Sequence, residues 1–152
     1  VILGCGRVGS TMARLLEREG HNVTVIDWNA ESFRRLDRFA GKTVIGSGID
    51  VDVLKKAGIE SAHVFVAVTN GDNTNIMSVQ IAKKIFDVPK AMARIYDPVR
   101  ASAYKQLGYD TICTTSIGAG LMTDLALDKN PQSVLSYRDI ESESNVMDLE
   151  VR

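Results

Sequence analysis

The chain has 152 residues, long enough for one hydrophobic core and short for two, so a single compact domain is expected. Its hydrophobic fraction is 45%, ordinary for a globular protein, and its net charge is −1 with 18 basic residues scattered along the chain, which leaves no electrostatic footprint for nucleic acid. No apolar run is long enough to span a bilayer, no signal peptide is read, and Cys5 and Cys113 fall on elements too far apart for a disulfide, which fits a reducing cytoplasm.

Val1-Ile2-Leu3 reads as the end of a strand that begins upstream of Val1. The run Gly4-Cys5-Gly6-Arg7-Val8-Gly9 follows and opens a helix that places Val8, Met12, Leu15 and Leu16 on one stripe, closed by Gly20. Val23-Thr24-Val25-Ile26 is a second strand ending at Asp27. Asn29 caps a helix through about Phe39 with Phe33, Leu36 and Phe39 or Ala40 inward, and Thr43-Val44-Ile45 is a short third strand. After the loop Gly46-Ser47-Gly48, Asp50 caps a helix whose Val51, Leu54 and Ala57 face the sheet, with Gly58 at its end.

His63 to Val68 is almost continuously apolar, as a central parallel strand buried on both faces would be. Thr69-Asn70-Gly71-Asp72 turns into a helix through Phe86, with Ile76, Val79 and Ala82 on one stripe and Met77, Ile81 and Ile85 beside it. Lys90 to Ile95 is a fifth strand, Asp97 and Pro98 take the cap and first positions of a helix to Leu107, and Tyr109 to Cys113 is a sixth strand. Ser116 opens a last helix with Ile117, Leu121, Met122 and Leu125, and Pro131 lies beyond it. Residues 132–152 read as an acidic, Ser-rich linker and then a strand belonging to a further module or exchanged with a second copy.

Strands alternating with helices in two like halves give an α/β fold: a Rossmann-like, doubly wound six-stranded parallel sheet of order 3-2-1-4-5-6 over residues 1–131. Ligands bind such sheets at the carboxyl ends of the strands, where Gly4, Asp27, Ser47, Thr69 and Arg94 all fall. The three glycines have separable purposes: a tight turn, close approach of a pyrophosphate, and close packing of helix on sheet. The helix N-terminus is an anion site, and a cation at Arg7 opposes its dipole unless a phosphate offsets both. Asp27 stands where a carboxylate accepts from both hydroxyls of an adenosine ribose, which disfavours NADP and leaves NAD, ATP and ADP open.

Several local patterns together are similar to one family. They are Gly4-Cys5-Gly6-Arg7-Val8-Gly9, Val25-Ile26-Asp27-x-Asn29, Val53-Leu54-x-x-Ala57-Gly58-Ile59, Ala67-Val68-Thr69-x-x-Asp72-x-x-Asn75, Ala93-Arg94 and Leu107-Gly108-Tyr109-Asp110. They resemble the RCK (regulator of potassium conductance) N-terminal domain, including the TrkA-type domains, from Val1 to about Pro131. The resemblance implies a cytoplasmic regulatory module, without catalysis, that binds NAD/NADH or ATP/ADP, forms a homodimer or larger ring, and controls a membrane potassium transporter or channel. The contacts so implied come from Gly4, Gly6, Arg7, Val8, Gly9, Asp27, Trp28, Ser47, Gly48, Thr69 and Arg94.

Within that set Arg7 would meet phosphates, and Thr69 and Arg94 the distal part of the ligand, Arg94 alternatively forming a salt bridge with Asp97. Asp72 and Asn75 either contribute to the site or only cap and brace their helix. The helices Pro98 to Leu107 and Ile117 to Leu125 would pair between copies, although Leu121, Met122 and Leu125 also suit an ordinary core stripe. Where the family commonly has Gly-Asp or Gly-Asn after the third strand, this chain has Gly46-Ser47, so contact with the adenine or ribose edge is weaker or made by backbone.

The rival reading is an NAD-dependent oxidoreductase fragment. It needs a catalytic acid or base, yet His21 and His63 sit beside a helix end and a strand start, and no tyrosine has a lysine four residues on. No Cys/His spacing matches a zinc site.

Overall fold

The structure, a computed structural model, describes residues 1–130, so the expected linker and strand over 132–152 lie outside the described residues. Strands Ile2–Leu3 (β1), Thr24–Asp27 (β2), Lys42–Ile45 (β3), Val64–Ala67 (β4), Lys90–Ile95 (β5) and Asp110–Cys113 (β6) alternate with five helices. The helices are Arg7–Arg18 (α1), Val51–Lys56 (α2), Asp72–Lys84 (α3), Pro98–Gln106 (α4) and Thr114–Ala126 (α5). The sheet order is β3-β2-β1-β4-β5-β6, the expected doubly wound arrangement. The pairings β1 with β2 and β4, β2 with β3, and β4 with β5 are all parallel, with Leu3 opposite both Ile26 and Ala67 and Asp27 opposite Ile45.

The chain divides into two compact units, Val1–Arg94 and a second from Ile95 onward. In the first, Ile2, Val25, Val66 and Val68 pack with Ala13 of α1 and with Leu36, and Met12, Leu16, Phe33, Phe39 and Met92 close around them. Phe65, Leu54, Ile59, Val79 and Ala82 are also fully buried. A central strand whose residues 65–68 are all buried has no polar face to offer solvent, which is why β4 sits inside the sheet. In the second unit the Thr111 hydroxyl of β6 donates to the Ala101 carbonyl of α4 at 3.0 Å, tying that helix to its strand.

The helix ends follow the local chemistry. Asp50 accepts from the N–H groups of Asp52 and Val53, and Asp97 from those of Val99 and Arg100 with Pro98 at the first helical position. Gly20 and Gly58 carry the positive φ expected past a helix end.

Four expectations need correction. On α1, Val8 and Leu15 are exposed, and the buried positions are Gly9, Ser10 and Ala13 with Met12 and Leu16 half-buried beside them. That helix lies so close to the strand tips that the smallest side chains face inward. The segment after Asn29 is a 3-10 helix, Ala30–Leu36, although Asn29 does cap it and Phe33 and Leu36 do turn inward. On α3, Ile76, Val79 and Ala82 are buried as expected, but Met77 and Ile85 are exposed and the helix ends at Lys84. The last helix starts at Thr114, because the Cys113 sulfur accepts the Ser116 N–H at 3.5 Å and serves as its cap.

Asp87 follows α3 with φ of 50°, a left-handed conformation that burdens a residue with a Cβ. Asp87→Gly is expected to stabilise the protein by about 0.5–1 kcal/mol, seen as a raised Tm in thermal unfolding.

Candidate functional site

The turn between β1 and α1 is dictated by two glycines. Gly4 has φ of +102°, and a Cβ there would lie 3.0–3.1 Å from the backbone of Val68 and Thr69. A Cβ on Gly9 would lie only 1.8 Å from the Gly4 carbonyl oxygen, so no other residue allows α1 to start so near the strand. Gly6 is different. Its φ of −74° suits any residue, and a Cβ there would meet nothing within 4 Å. Nothing in the chain itself requires glycine at position 6.

Gly6 is the N-cap of α1, and no side chain caps that helix, so the first-turn N–H groups face outward beside exposed Arg7 and Val8. No acidic residue lies in that first turn. The result is a donor-rich, positively polarised surface.

Asp27, at the tip of β2, is buried to 8% exposure, and both carboxylate oxygens are engaged. Oδ2 accepts the Cys5 N–H at 2.6 Å and Oδ1 accepts the Asn29 N–H at 2.9 Å. The carboxylate thus fixes the glycine turn, and each oxygen keeps acceptor capacity for a further donor. It lines a cleft of about 150 Å³ together with Leu3, Gly4, Trp28, Gly46, Ser47, Gly48, Thr69 and Thr74. Of the expected contacts the cleft therefore gathers Gly4, Asp27, Trp28, Ser47, Gly48 and Thr69. Gly6, Arg7, Val8, Gly9 and Arg94 do not line it. Leu3, Gly46 and Thr74 line it without having been expected; the proximity of Gly46 to Ser47 and of Thr74 to Asn75 was the available signal.

A second brace holds the other wall. The fully buried Asn75 side chain accepts the Thr69 N–H at 2.9 Å and the Thr69 hydroxyl at 2.7 Å, and donates to the carbonyls of Thr69 at 2.9 Å and Arg94 at 2.8 Å. Arg94 Nη2 donates to the carbonyls of Val68 at 2.8 Å and Thr69 at 2.9 Å. Asn75 and Arg94 together fix the end of β4, and with it Thr69. Asp72 is the first residue of α3, whose N-cap is Gly71, and it is buried there.

Cys5 sits in this turn as a thiol. Burial, and secondly the Asp27 charge, push it up to about 11 against an opposing effect of Arg35, and its Sγ donates to the Ser32 carbonyl at 3.3 Å. It is a packing residue and not a nucleophile at neutral pH. Among the described residues no group of three or more His, Cys, Asp and Glu could hold a metal, and no described helix is long and apolar enough to cross a membrane.

Two outcomes follow from these contacts. Asn75→Ala removes a partner from three half-buried backbone groups, of which the Thr69 carbonyl keeps the Arg94 donor, and is expected to cost about 2–3 kcal/mol in denaturant unfolding. The unfolded thiol of Cys5 ionises near 9 while the folded one keeps its proton to about 11. The native state then binds more protons than the unfolded one across that window, so stability falls as pH rises from about 9 to about 11. In Cys5→Ala that alkaline loss, followed by chemical denaturation at each pH, is smaller.

Comparison with known proteins agrees with this geometry. Residues 1–115 match the family model of the TrkA-N domain. The Trk system potassium uptake protein TrkA of Streptomyces coelicolor is 52% identical over 115 residues, covering 75% of this chain and 52% of the relative. The chain thus corresponds to about half the length of that relative. Among solved structures, the Shewanella denitrificans Kef CTD in AMP-bound form superposes with a TM-score of 0.72 at 23% identity, covering 98% of this chain and 94% of the other. GsuK bound to ADP superposes with a TM-score of 0.70 at 25% identity, covering 82% and 32%. With its six-stranded parallel sheet, its glycine turn and this match across three quarters of its length, the chain belongs to the TrkA-N domain family.

Proposed function

We propose that this chain is the nucleotide-sensing domain of a regulator of membrane potassium transport. It binds an adenine nucleotide, NAD/NADH or ATP/ADP with NADP disfavoured, and carries no catalytic step. The observation that carries the reading is Gly6: a glycine the protein does not need for itself, at an uncapped helix N-terminus, beside a buried carboxylate that retains acceptor capacity. A ligand phosphate approaching the backbone gives that glycine its purpose. The family, the TrkA relative and the nucleotides in the neighbouring structures support it.

In this reading Asp27 accepts from the ribose hydroxyls, and a 2′-phosphate beside its charge is repelled. The N–H groups of the first turn and Arg7 take the phosphates, and Val8 and Gly9 belong to that turn. Ser47, Gly48 and Thr69 bound the cleft, while Arg94 acts through the end of β4. The cleft of about 150 Å³ is smaller than the roughly 300–1,000 Å³ of pockets that enclose a whole ligand, so it takes one part of a nucleotide and leaves the rest outside.

Regulation requires that the ligand bind one assembly better than another. Met122 and Leu125 on α5 and Val99 on α4 are exposed apolar side chains, and through them a dimer or ring of this chain would form, in the cytoplasm against the inner face of a membrane transporter or channel.

Calorimetric titration of NAD, NADH, ATP and ADP tests the reading. At least one binds the natural chain, and Gly6→Ala weakens it by roughly 10- to 100-fold, the effect of an added methyl in a filled site, without loss of stability. Asp27→Ala loses binding together with stability, since it also releases Cys5. No binding of any of the four would overturn the proposal, and turnover of NADH with a small substrate would replace it with the oxidoreductase.

A further inference from the structure

The most exposed large apolar side chain of the first unit is Trp28, at 78% exposure, and it lines the same cleft as Asp27. It is also the only tryptophan in the chain. We propose that the Trp28 indole is the platform on which the base of the nucleotide stacks, so that the base is held by an aromatic face and not by a charged edge. This rests on the nucleotide reading above and goes beyond it in naming what grips the base.

Isolated exposed apolar residues are ordinary on protein surfaces, so exposure alone decides nothing. Position decides. Asp27 Oδ1 accepts the N–H of Asn29, a turn in which Trp28 is the middle residue, and Asn29 Oδ1 in turn accepts the N–H of Glu31. The carboxylate that would hold the ribose therefore fixes the backbone that carries the indole. The two α-carbons are about 3.8 Å apart, and in a nucleoside the base is attached one carbon from the 2′-hydroxyl. A residue adjacent to the ribose acceptor is within reach of the base plane.

The remaining chemistry of the cleft agrees. Apart from Asp27 its lining carries no ionisable side chain, only Leu3, three glycines, Ser47, Thr69, Thr74 and the indole. Ile45, opposite Asp27 in the sheet, is a further exposed apolar residue at the tip of the neighbouring strand. An aromatic face without a charged reader is how proteins hold bases by stacking.

The experiment combines emission of the lone tryptophan with calorimetry, using ADP and NAD as probes. Both nucleotides are expected to quench Trp28 emission saturably, with the same Kd that calorimetry gives. Trp28→Ala, whose side chain is solvent-exposed and whose folding is checked by an unchanged Tm, is expected to lose roughly 5- to 100-fold in affinity. Trp28→Phe, which keeps an aromatic face, stays within a few fold of the natural chain. If ADP or NAD binds without changing Trp28 emission and binds Trp28→Ala equally well, the stacking assignment is overturned while the nucleotide reading stands. If none of ADP, NAD, ATP and NADH binds the natural chain, both fall together.

Discussion

One hydrogen bond organises this site: the Asp27 carboxylate accepting the backbone N–H of Cys5 at 2.6 Å. It joins the tips of two adjacent parallel strands, and it does so with a buried anion, which folding tolerates only when its oxygens are satisfied. Because Asp27 holds Cys5, the chain must turn at Gly4 and rise into α1 within a few residues, and that closeness forces Gly9 against the Gly4 carbonyl. The same carboxylate holds Asn29 and so sets the direction of the chain after β2. On the opposite wall the neutral amide of Asn75 does comparable work for the ends of β4 and β5. The cleft is rigid because two polar side chains, one charged and one not, each close several backbone bonds around it.

Much of this was legible in the residues because it depends on local chemistry. A glycine run after an apolar strand with an acid at the end of the next strand admits few structures, and the sheet order follows from the alternation of elements. Asp50, Asp97 with Pro98, Gly20 and Gly58 mark helix ends by mechanisms confined to a few residues, and they fell where expected. What periodicity misplaced was the inward face of α1. Apolarity pointed to Val8 and Leu15, but the close approach of helix and strand selects for smallness, and Gly9 and Ala13 took the inner positions.

The braces were harder to foresee for a related reason. Asn75 lies beside Ile76 on a helix read by its apolar stripe, and its partners are the Thr69 hydroxyl and main-chain groups of Thr69 and of Arg94 on β5. Arg94 was read from its place at a strand end, and its bonds to the carbonyls of Val68 and Thr69 were not part of that reading. Backbone partners leave no trace in residue identity. The same limit hid Cys113 as a helix cap, a role more often filled by oxygen than by sulfur.

A site of this kind suits sensing. Its donors are preorganised backbone groups, and its one charged side chain in the cleft is already committed to holding the turn. In the proposed reading, a nucleotide bound there would bias how the domain packs with partners, and no step calls for a group to move a proton. The central claim is that the turn at Gly6 and the Asp27 carboxylate together form a nucleotide site. It is tested most directly by following backbone amide resonances of the labelled chain as ADP is added. The account predicts shifts centred on Cys5, Gly6 and Arg7, with Trp28, Ser47 and Thr69, that saturate together. Saturable shifts confined to residues away from these strand tips, or none at all with any adenine nucleotide, would contradict it.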